Sequence, residues 1–419
     1  MRRPLLLIFI VILFVSYLYT NFELTDKTYD NKVVTILGTV KDKIEKEKYD
    51  EYKIDNFLVR DYSRRNKLTT GNNVKISGKF KCLDDMKYED FNYGRYLRSM
   101  GYKGIIYINK YEKVGEDIVF TYLGKISNYV SNTNRYLYKK NSDFINSILL
   151  GQKEDLSEEE KLMFSRTGTS HIIAISGLHT GIICVLITFI LGGMNKVYKL
   201  LILTVIMILY CAMVGLSPSI VRAIVFVIIL YLAVFIDRKR DGISTLSLIG
   251  SFLIINNPYI IYNISFQLSF LSTLSIIYFY GYINSKLKLS LVSLTISANI
   301  LILPIMYYNF KGIPIISVIS NVIIVPFIGI IIYFSIISVI LFKINIGLSK
   351  IIVYFNRALV NTIYFLLEKI SDIEFSYIDI ENPKLYFVVT YYIVVFSYMV
   401  YKELKVIKEQ ANELQGYYK

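Results

Sequence analysis

The residues best suited to chemistry cluster between Gly168 and Gly181, in the run GTSHIIAISGLHTG. The run holds both histidines of the chain, His171 and His179, with the hydroxyls of Thr169, Ser170, Ser176 and Thr180 and the glycines Gly168, Gly177 and Gly181. On a helix, His171 and His179 would sit roughly 80° apart, and Ser176 would lie about one turn from His179. Three readings fit these residues. Ser176 with His179 or His171 is the minimum for an intramembrane hydrolase or transferase, although no acid stands nearby to orient the base. A polar pore or hinge element is the second, because small residues let helices approach closely. Plain packing with an interfacial histidine is the third. Two histidines are too few for a multi-histidine metal site, and neither HExxH nor GxxxxGKS/T occurs, so neither a metal nor a cofactor is expected.

The charges around this cluster are one-sided. No Asp or Glu occurs from Lys161 to Ile236 or from Gly242 to Leu367. A cation-coupled transporter needs a membrane carboxylate and an intramembrane aspartyl protease needs two, so the physics favours an anion as cargo. Arg222 follows Pro218 inside an apolar run. It either snorkels to the headgroups or lines a transport path. Gln267 and Ser269, in the run FQLSF, place polar groups in another apolar segment, where helix–helix hydrogen bonding is the bland account. Pro304, and Asn321 with Pro326, mark points where backbone groups lose partners.

The elements that must position these residues are membrane-like. Of 419 residues, 54% are hydrophobic and only 19% charged, and mean hydropathy is +0.46. A soluble domain carries about 25% charged residues. Net charge is nevertheless +14. Arg2 and Arg3 precede an apolar run from Leu5 to Val15, which reads as an uncleaved first span with its N-terminus in the cytoplasm. Nine more candidate spans lie near 172–193, 197–216, 219–236, 243–260, 264–283, 289–309, 313–342, 346–367 and 385–402. Basic residues fall in alternate loops, which predicts ten spans with both termini cytoplasmic. The 313–342 run is longer than a bilayer core and carries Asn321 and Pro326, so a broken or re-entrant element is expected there. The 346–367 run carries Lys350 and Arg357 and fits an interfacial helix as well as a span.

Between the first span and the rest lies a polar stretch with period-two runs at Val33–Gly38, Tyr52–Val59, Val74–Gly78 and Gly104–Ile108. That pattern predicts a small all-β domain outside the membrane, such as a five-stranded barrel, with a short helix over 91–100 before the last strand. Ser157 and Glu160 form a capping-box signature. The expected organisation is an anchor over 1–25, a β domain over 26–125, amphipathic linker helices over 126–170, a membrane domain over 171–402 and a tail over 403–419. Cys82, Cys184 and Cys211 are too few and too scattered to imply an intrachain disulfide.

The chain resembles the ComEC family of DNA-internalisation channels. The resemblance rests on Leu149-Leu150-Gly151 through Glu160 and Phe164, then Thr167-Gly168-Thr169-Ser170-His171 and the HxxAISGLH core ending at His179. Pro218 with Arg222, Asn257-Pro258, the FQLSF run, Pro304, and Asn321 with Pro326 follow in order. It covers nearly the whole chain, from about residue 1 to 402. It implies a polytopic α-helical channel for single-stranded DNA in the cytoplasmic membrane, with an extracytoplasmic OB-like domain. Arg222, His171, Ser176, Gly177, His179, Gln267, Ser269 and Asn321 would line the DNA path. In the OB-like domain, Arg60, Tyr62, Arg64, Arg65, Lys67 and Lys79 are candidates for holding the strand, although the same run reads as a solvated loop. The resemblance further implies contacts with membrane lipid, a DNA receptor outside and a helicase-like ATPase inside. Many members end in a metallo-β-lactamase-like domain, whereas no histidine follows His179 here. This chain is therefore expected to act without catalysis, with any nuclease a separate chain. A membrane anchor displaying a binding module stands as a further alternative.

Overall fold

The computed structural model describes residues 3–23, 27–64, 68–84, 86–88, 91–215, 220–221, 224–225 and 241–417. The chain forms two compact units. One comprises Met1–Leu162, Ser170–Phe270 and Ile323–Leu366, and the other Met163–Thr169, Leu271–Val322 and Leu367–Lys419.

In the first unit, helix α1 (Pro4–Phe22) starts with proline at its first turn, where the missing N–H costs nothing. A closed barrel follows, built from β1 (Val33–Glu45), β2 (Asp50–Ile54), β3 (Phe57–Asp61), β4 (Asn72–Lys81) and, after a short β5–β6 hairpin (Lys87–Tyr88 and Phe91–Asn92) and helix α2 (Tyr93–Ser99), β7 (Gly104–Glu116). The order around the barrel is β1-β2-β3-β7-β4. All neighbours are antiparallel except β3 and β7, which run parallel with Arg60 beside Tyr107. Alternation explains the closure. Val40, Tyr52, Ile54, Val59, Val74, Ile76 and Ile106 fill the interior with Leu68, and every second residue faces out. A second apolar cluster lies outside the barrel wall, where Leu97 of α2 and Leu83 cover Leu58 and Ile105. The expected short helix before the last strand is thus present. Gly94 lets α2 lie flat there, because a Cβ would overlap the Leu83 carbonyl oxygen.

Helices α3 (Ile118–Tyr138), α4 (Ser142–Leu150) and α5 (Glu158–Arg166) lead away from the barrel. The Ser157–Glu160 capping box forms as expected, with Glu160 N–H donating to Ser157 Oγ at 3.1 Å and Ser157 N–H to the Glu160 carboxylate at 2.9 Å. Helices α6 (Ser170–Ile173), α7 (Gly177–Ile190), α8 (Lys196–Val214) and α9 (Gly242–Asn256) follow. The expected span at 219–236 falls almost wholly outside the described residues. Helices α1 and α9 run side by side and parallel. Arg3 Nε meets Asp241 at 3.2 Å at one end, and at the other Ser16 Oγ donates to the Pro258 carbonyl at 2.8 Å. Gly250 permits the close approach, since a Cβ would press on the Phe9 ring.

The remaining helices are α10 (Ile264–Leu287), α11 (Ser290–Asn309), α12 (Ser317–Ile344), α13 (Ile346–Ser371) and α14 (Leu385–Tyr417), with a two-residue β8–β9 pair (Gly312–Ile313 and Ile378–Asp379). Among the described residues, seven helices are long and apolar enough to cross a membrane, and Gly177–Ile190 and Gly242–Asn256 are shorter apolar helices. The break expected at Asn321 and Pro326 does not occur. α12 runs unbroken for 28 residues, about 42 Å at 1.5 Å per residue. α11 likewise continues through Pro304. Proline removes the donor to the carbonyl four residues back, and that carbonyl, on Ile300, instead accepts from Tyr391 Oη at 2.9 Å. A partner on α14 therefore replaces the lost backbone bond, which is why proline here does not end the helix.

Candidate functional site: a broken helix and an aromatic barrel face

The histidine cluster does not form one continuous span. α6 is a single turn, residues 174–176 leave the helical path, and α7 begins at Gly177. Ser176 is the N-cap, extended at φ −128° and ψ 178°. Its Oγ accepts from Leu178 N–H at 3.3 Å, while its own N–H donates to His179 Nδ1 at 3.3 Å. His179 thus fills the position that Glu or Gln takes in a capping box. Nδ1 accepts a backbone N–H, so the neutral ring carries its proton on Nε2. Ser176 Oγ stands 3.1 Å from the same Nδ1. His179 is fully buried, and its Nε2 has no hydrogen-bond partner among the described residues. Among the described residues, no carboxylate therefore orients the ring from behind. His171 is exposed on α6.

Neighbouring elements fix this break. Gly151 ends α4 in the left-handed conformation at φ +75°, a hypothetical Cβ there meeting Ile175 at 3.4 Å. Tyr333 of α12 donates to the Ile182 carbonyl of α7 at 3.1 Å. A cleft of about 300 Å³ opens beside the break, lined by Lys153, Glu154, Lys161, Ser170, Ile173 and Ala174. Of its two cations, Lys161 is paired with Glu158 at 2.8 Å.

The other expected path residues are placed as follows. Gln267 Nε2 donates to the Ile261 carbonyl at 2.7 Å, closing the 3-10 turn Pro258–Tyr262 onto α10. Ser269 is half-buried on the same helix. Asn321 lies on α12 in the other compact unit, its Oδ1 buried and without a partner among the described residues. Arg222 lies outside the described residues. The structure thus joins Ser176, Gly177 and His179 in one cap, and spends the Gln267 amide on a local turn.

The barrel holds a denser arrangement. Tyr62 packs 5.0 Å from Tyr49 and 6.1 Å from Tyr107, centroid to centroid. Tyr93 packs 6.4 Å from Tyr88, 6.4 Å from Phe91 and 6.1 Å from Tyr96. Arg60 joins the two groups, its guanidinium 5.1 Å over the Tyr49 ring and 6.0 Å over Tyr93. Its Nε donates to Glu51 at 3.1 Å and a terminal nitrogen to Tyr93 Oη at 2.8 Å. Tyr62, Tyr88 and Phe91 are exposed, by 56%, 68% and 46%. Burial pushes the phenols of Tyr49, Tyr93 and Tyr96 up, so these rings stay neutral at any physiological pH.

Of the cations expected here, Arg60 is locked in place. Arg64 stands 3.9 Å from Asp50. Lys79 is exposed, is the cross-strand partner of Tyr107, and so leaves the sheet on the same face. Arg65 and Lys67 lie outside the described residues. The sequence reading missed Tyr49, Tyr88, Phe91, Tyr93, Tyr96 and Tyr107. The available signal was tyrosine at outward positions of the strands and at i, i+3 on α2.

The barrel is riveted to the membrane helices of its own unit. Arg98 of α2 holds Asp84 through two bonds of 2.8 Å and donates to Tyr259 Oη at 2.5 Å. Asn257 Nδ2 donates to the Arg98 carbonyl at 2.9 Å and the Ser99 carbonyl at 3.2 Å. Those carbonyls end α2, where helix carbonyls run out of partners in the regular ladder; the Arg98 carbonyl also accepts from Gly101 N–H at 2.9 Å.

The family model described as competence protein matches residues 148–405. The chain is 26% identical over 301 residues to ComE operon protein 3 of Bacillus subtilis (strain 168). That alignment covers 70% of this chain and 39% of the relative, so the chain matches about two fifths of the relative's length. No solved structure matches it.

Proposed function

The chain belongs to the competence-protein family, and on that premise we propose that it passes single-stranded DNA across the cytoplasmic membrane during transformation, without catalysis of its own. The observation that carries the reading is the pairing of two features in one chain. A closed barrel presents aromatic rings, and the apolar helices beyond it have no Asp or Glu between Gly242 and Leu367. A polyanion crossing such helices meets no fixed negative charge. The strand order β1-β2-β3-β7-β4 with its parallel β3–β7 pair supports an OB-like barrel, and the rings lie on the β2–β3 face that OB folds use for oligonucleotides. The Arg3–Asp241 pair puts the start of α1 and the loop before α9 on one side, which supports an even number of spans between them, as the ten-span scheme with both termini inside requires. A DNA receptor outside, a helicase-like ATPase inside and a separate nuclease complete the scheme.

The test is uptake of end-labelled DNA into the nuclease-resistant fraction of cells carrying Arg222→Ala or His179→Ala. Uptake should collapse while surface-bound DNA remains. Normal uptake in both variants removes these residues from the path. Normal uptake in cells lacking the protein sinks the reading altogether.

One observation favours a second reading, the 3.1 Å approach of Ser176 Oγ to His179 Nδ1. A hydrolase or transferase built on that pair would be labelled at Ser176 by a fluorophosphonate and silenced by Ser176→Ala. The channel reading expects no labelling. A membrane anchor that only displays the barrel would instead make loss of surface DNA binding the sole phenotype of deletion.

A further inference from the structure

We infer that the adjoining ends of α10 and α14 hold one anionic phospholipid, its phosphate between Lys286 and Lys402, whatever the chain transports. Both ends belong to one compact unit. Tyr282 of α10 stands at the centre. The Lys286 ammonium lies 4.6 Å from its ring centroid and the Lys402 ammonium of α14 lies 4.9 Å from it. Lys402 is also 5.4 Å from the Tyr278 ring. The two ammonium groups are therefore no more than about 9.5 Å apart. A phosphate whose oxygens each accept a charge-assisted bond of about 2.8 Å can meet both with small movements of two flexible stems.

The local charge is one-sided. Neither Lys286 nor Lys402 makes an ion pair among the described residues, and the shared ring is what draws them together. Residues 278–290 hold no Asp or Glu, and residues 391–405 hold only Glu403. Glu403 follows Lys402 by one residue, about 100° round the helix, and has an interaction of its own. Lys288 and Lys405 add positive charge at the same two ends. Two like charges around one ring repel, and an anion between them relieves that repulsion. The surroundings favour a lipid over a free anion. On α14, Tyr398 and Val394 stand one and two turns before Lys402 on the same face, and they are 46% and 62% exposed. On α10, Tyr278 stands two turns before Lys286 and donates to the Met399 carbonyl of α14 at 2.9 Å, tying the helices together. Cations at the helix ends, with aromatic and aliphatic side chains below them, suit a headgroup and its acyl chain. The positive-inside rule assigns this end to the cytoplasmic leaflet. No residue of α14 from Leu385 to Lys405 is buried, so a lipid seated here also helps to hold α14 against α10.

The experiment is native mass spectrometry of the full chain in detergent, titrated with phosphatidylglycerol or phosphatidylcholine, with hydrogen–deuterium exchange in nanodiscs of the same lipids to locate the effect. The wild type should bind phosphatidylglycerol more tightly. Lys286→Gln and Lys402→Gln should each weaken its binding about fivefold, and Lys402→Arg should retain it. Tyr282→Leu removes no charge but frees the two lysines to separate, so it should weaken binding as well, whereas Tyr282→Phe keeps the ring and should not. Phosphatidylglycerol should slow exchange at 278–287 and 396–405 in the wild type and not in the double glutamine variant. The β1–β4 ladder reports whether each variant is folded. Lys199→Gln, on α8 where the ammonium donates to the Gly192 carbonyl at 2.6 Å, should leave binding unchanged. Equal loss in Lys199→Gln overturns the inference, because a general positive surface would then suffice. Equal affinity for the two lipids overturns it too, as does a neutral Tyr282→Leu. Glycerol phosphate competing as strongly as the lipid assigns the lysines to a free phosphate, and displacement of the lipid by oligothymidylate assigns them to a nucleic-acid strand; either result overturns the lipid site.

Discussion

Replacing Arg98 by methionine removes one guanidinium and keeps an apolar stem of similar reach. In the wild type that guanidinium makes two bonds of 2.8 Å to Asp84, one of 2.5 Å to Tyr259, and a 3.5 Å ion pair with Glu23. Side-chain exposure is 18% for Arg98, 19% for Asp84 and 30% for Glu23, so the group is largely shielded from water. Breaking a fully buried pair costs about 3–5 kcal/mol, because a charge stays behind without its partner. Residual hydration of Asp84 and Glu23 lowers that to about 2–4 kcal/mol. The loss falls on the contact between α2 and the 3-10 turn Pro258–Tyr262, since Asp84 and Arg98 belong to the barrel and Tyr259 and Glu23 to the membrane side. At 1.4 kcal/mol per tenfold, amide exchange in α2 and in that turn should accelerate about 30- to 700-fold. Hydrogen–deuterium exchange on the full chain in nanodiscs reads this peptide by peptide. The β1–β4 ladder, which shares none of these contacts, serves as the internal reference. Tyr259→Phe should give a smaller effect of about 1–3 kcal/mol and couple to Arg98→Met in a double-mutant cycle. If α2 exchanges at its wild-type rate in Arg98→Met, the rivet carries no docking energy. If α2 and the β1–β4 ladder accelerate together, Arg98 stabilises the barrel rather than its attachment.

Three further changes follow from local geometry. Gly94→Ala puts a Cβ against the Leu83 carbonyl and should destabilise the barrel by about 1–3 kcal/mol, seen as a lower urea midpoint. Ser176→Ala removes the α7 cap and should cost about 0.5–2 kcal/mol, read as faster exchange in the first turn of α7, whereas Ser176→Asp should restore protection. Asn356→Leu deletes donors to Tyr138 Oη at 2.9 Å, Ser335 Oγ at 2.9 Å and the Ile331 carbonyl at 3.2 Å. With those groups buried, it should lower the thermal midpoint in detergent by the equivalent of about 1–3 kcal/mol.

The parts of the fold that alternate or cap were legible in the sequence. Val74, Ile76 and their neighbours point inward at period two, and the Ser157–Glu160 box stands where its spacing puts it. Proline misled at Pro304 and Pro326. The rule that it breaks helices assumes no substitute for the lost donor, and Tyr391 supplies one to Ile300 from a helix 70 residues or more downstream in sequence. No local pattern records such a partner. The histidine cluster was legible as an interruption but not as a cap. His179 at the third helical position does the work of a glutamate, so a search for Ser-x-x-Glu passes over it.

Tyrosine shows why the barrel face escaped notice. The chain has 37 tyrosines and no tryptophan, and in an apolar sequence that surplus reads as an interfacial belt. Composition cannot separate a ring facing headgroups from a ring facing a ligand, since both need an apolar body and a wet tip. Connectivity separates them. Tyr49 lies in the β1–β2 turn, Tyr62 after β3, Tyr93 on α2 and Tyr107 on β7, far apart along the chain, and only barrel closure brings them within stacking distance. Arg60 carries the same lesson for charge. Read along the chain it is one cation in a basic run, Arg60 to Lys67, suited to phosphate. Across the β2–β3 ladder it faces Glu51, and the charge that seemed available for a ligand is already neutralised. Which cations of this face are left for a partner is therefore set by strand register, a property that counting lysines and arginines cannot supply.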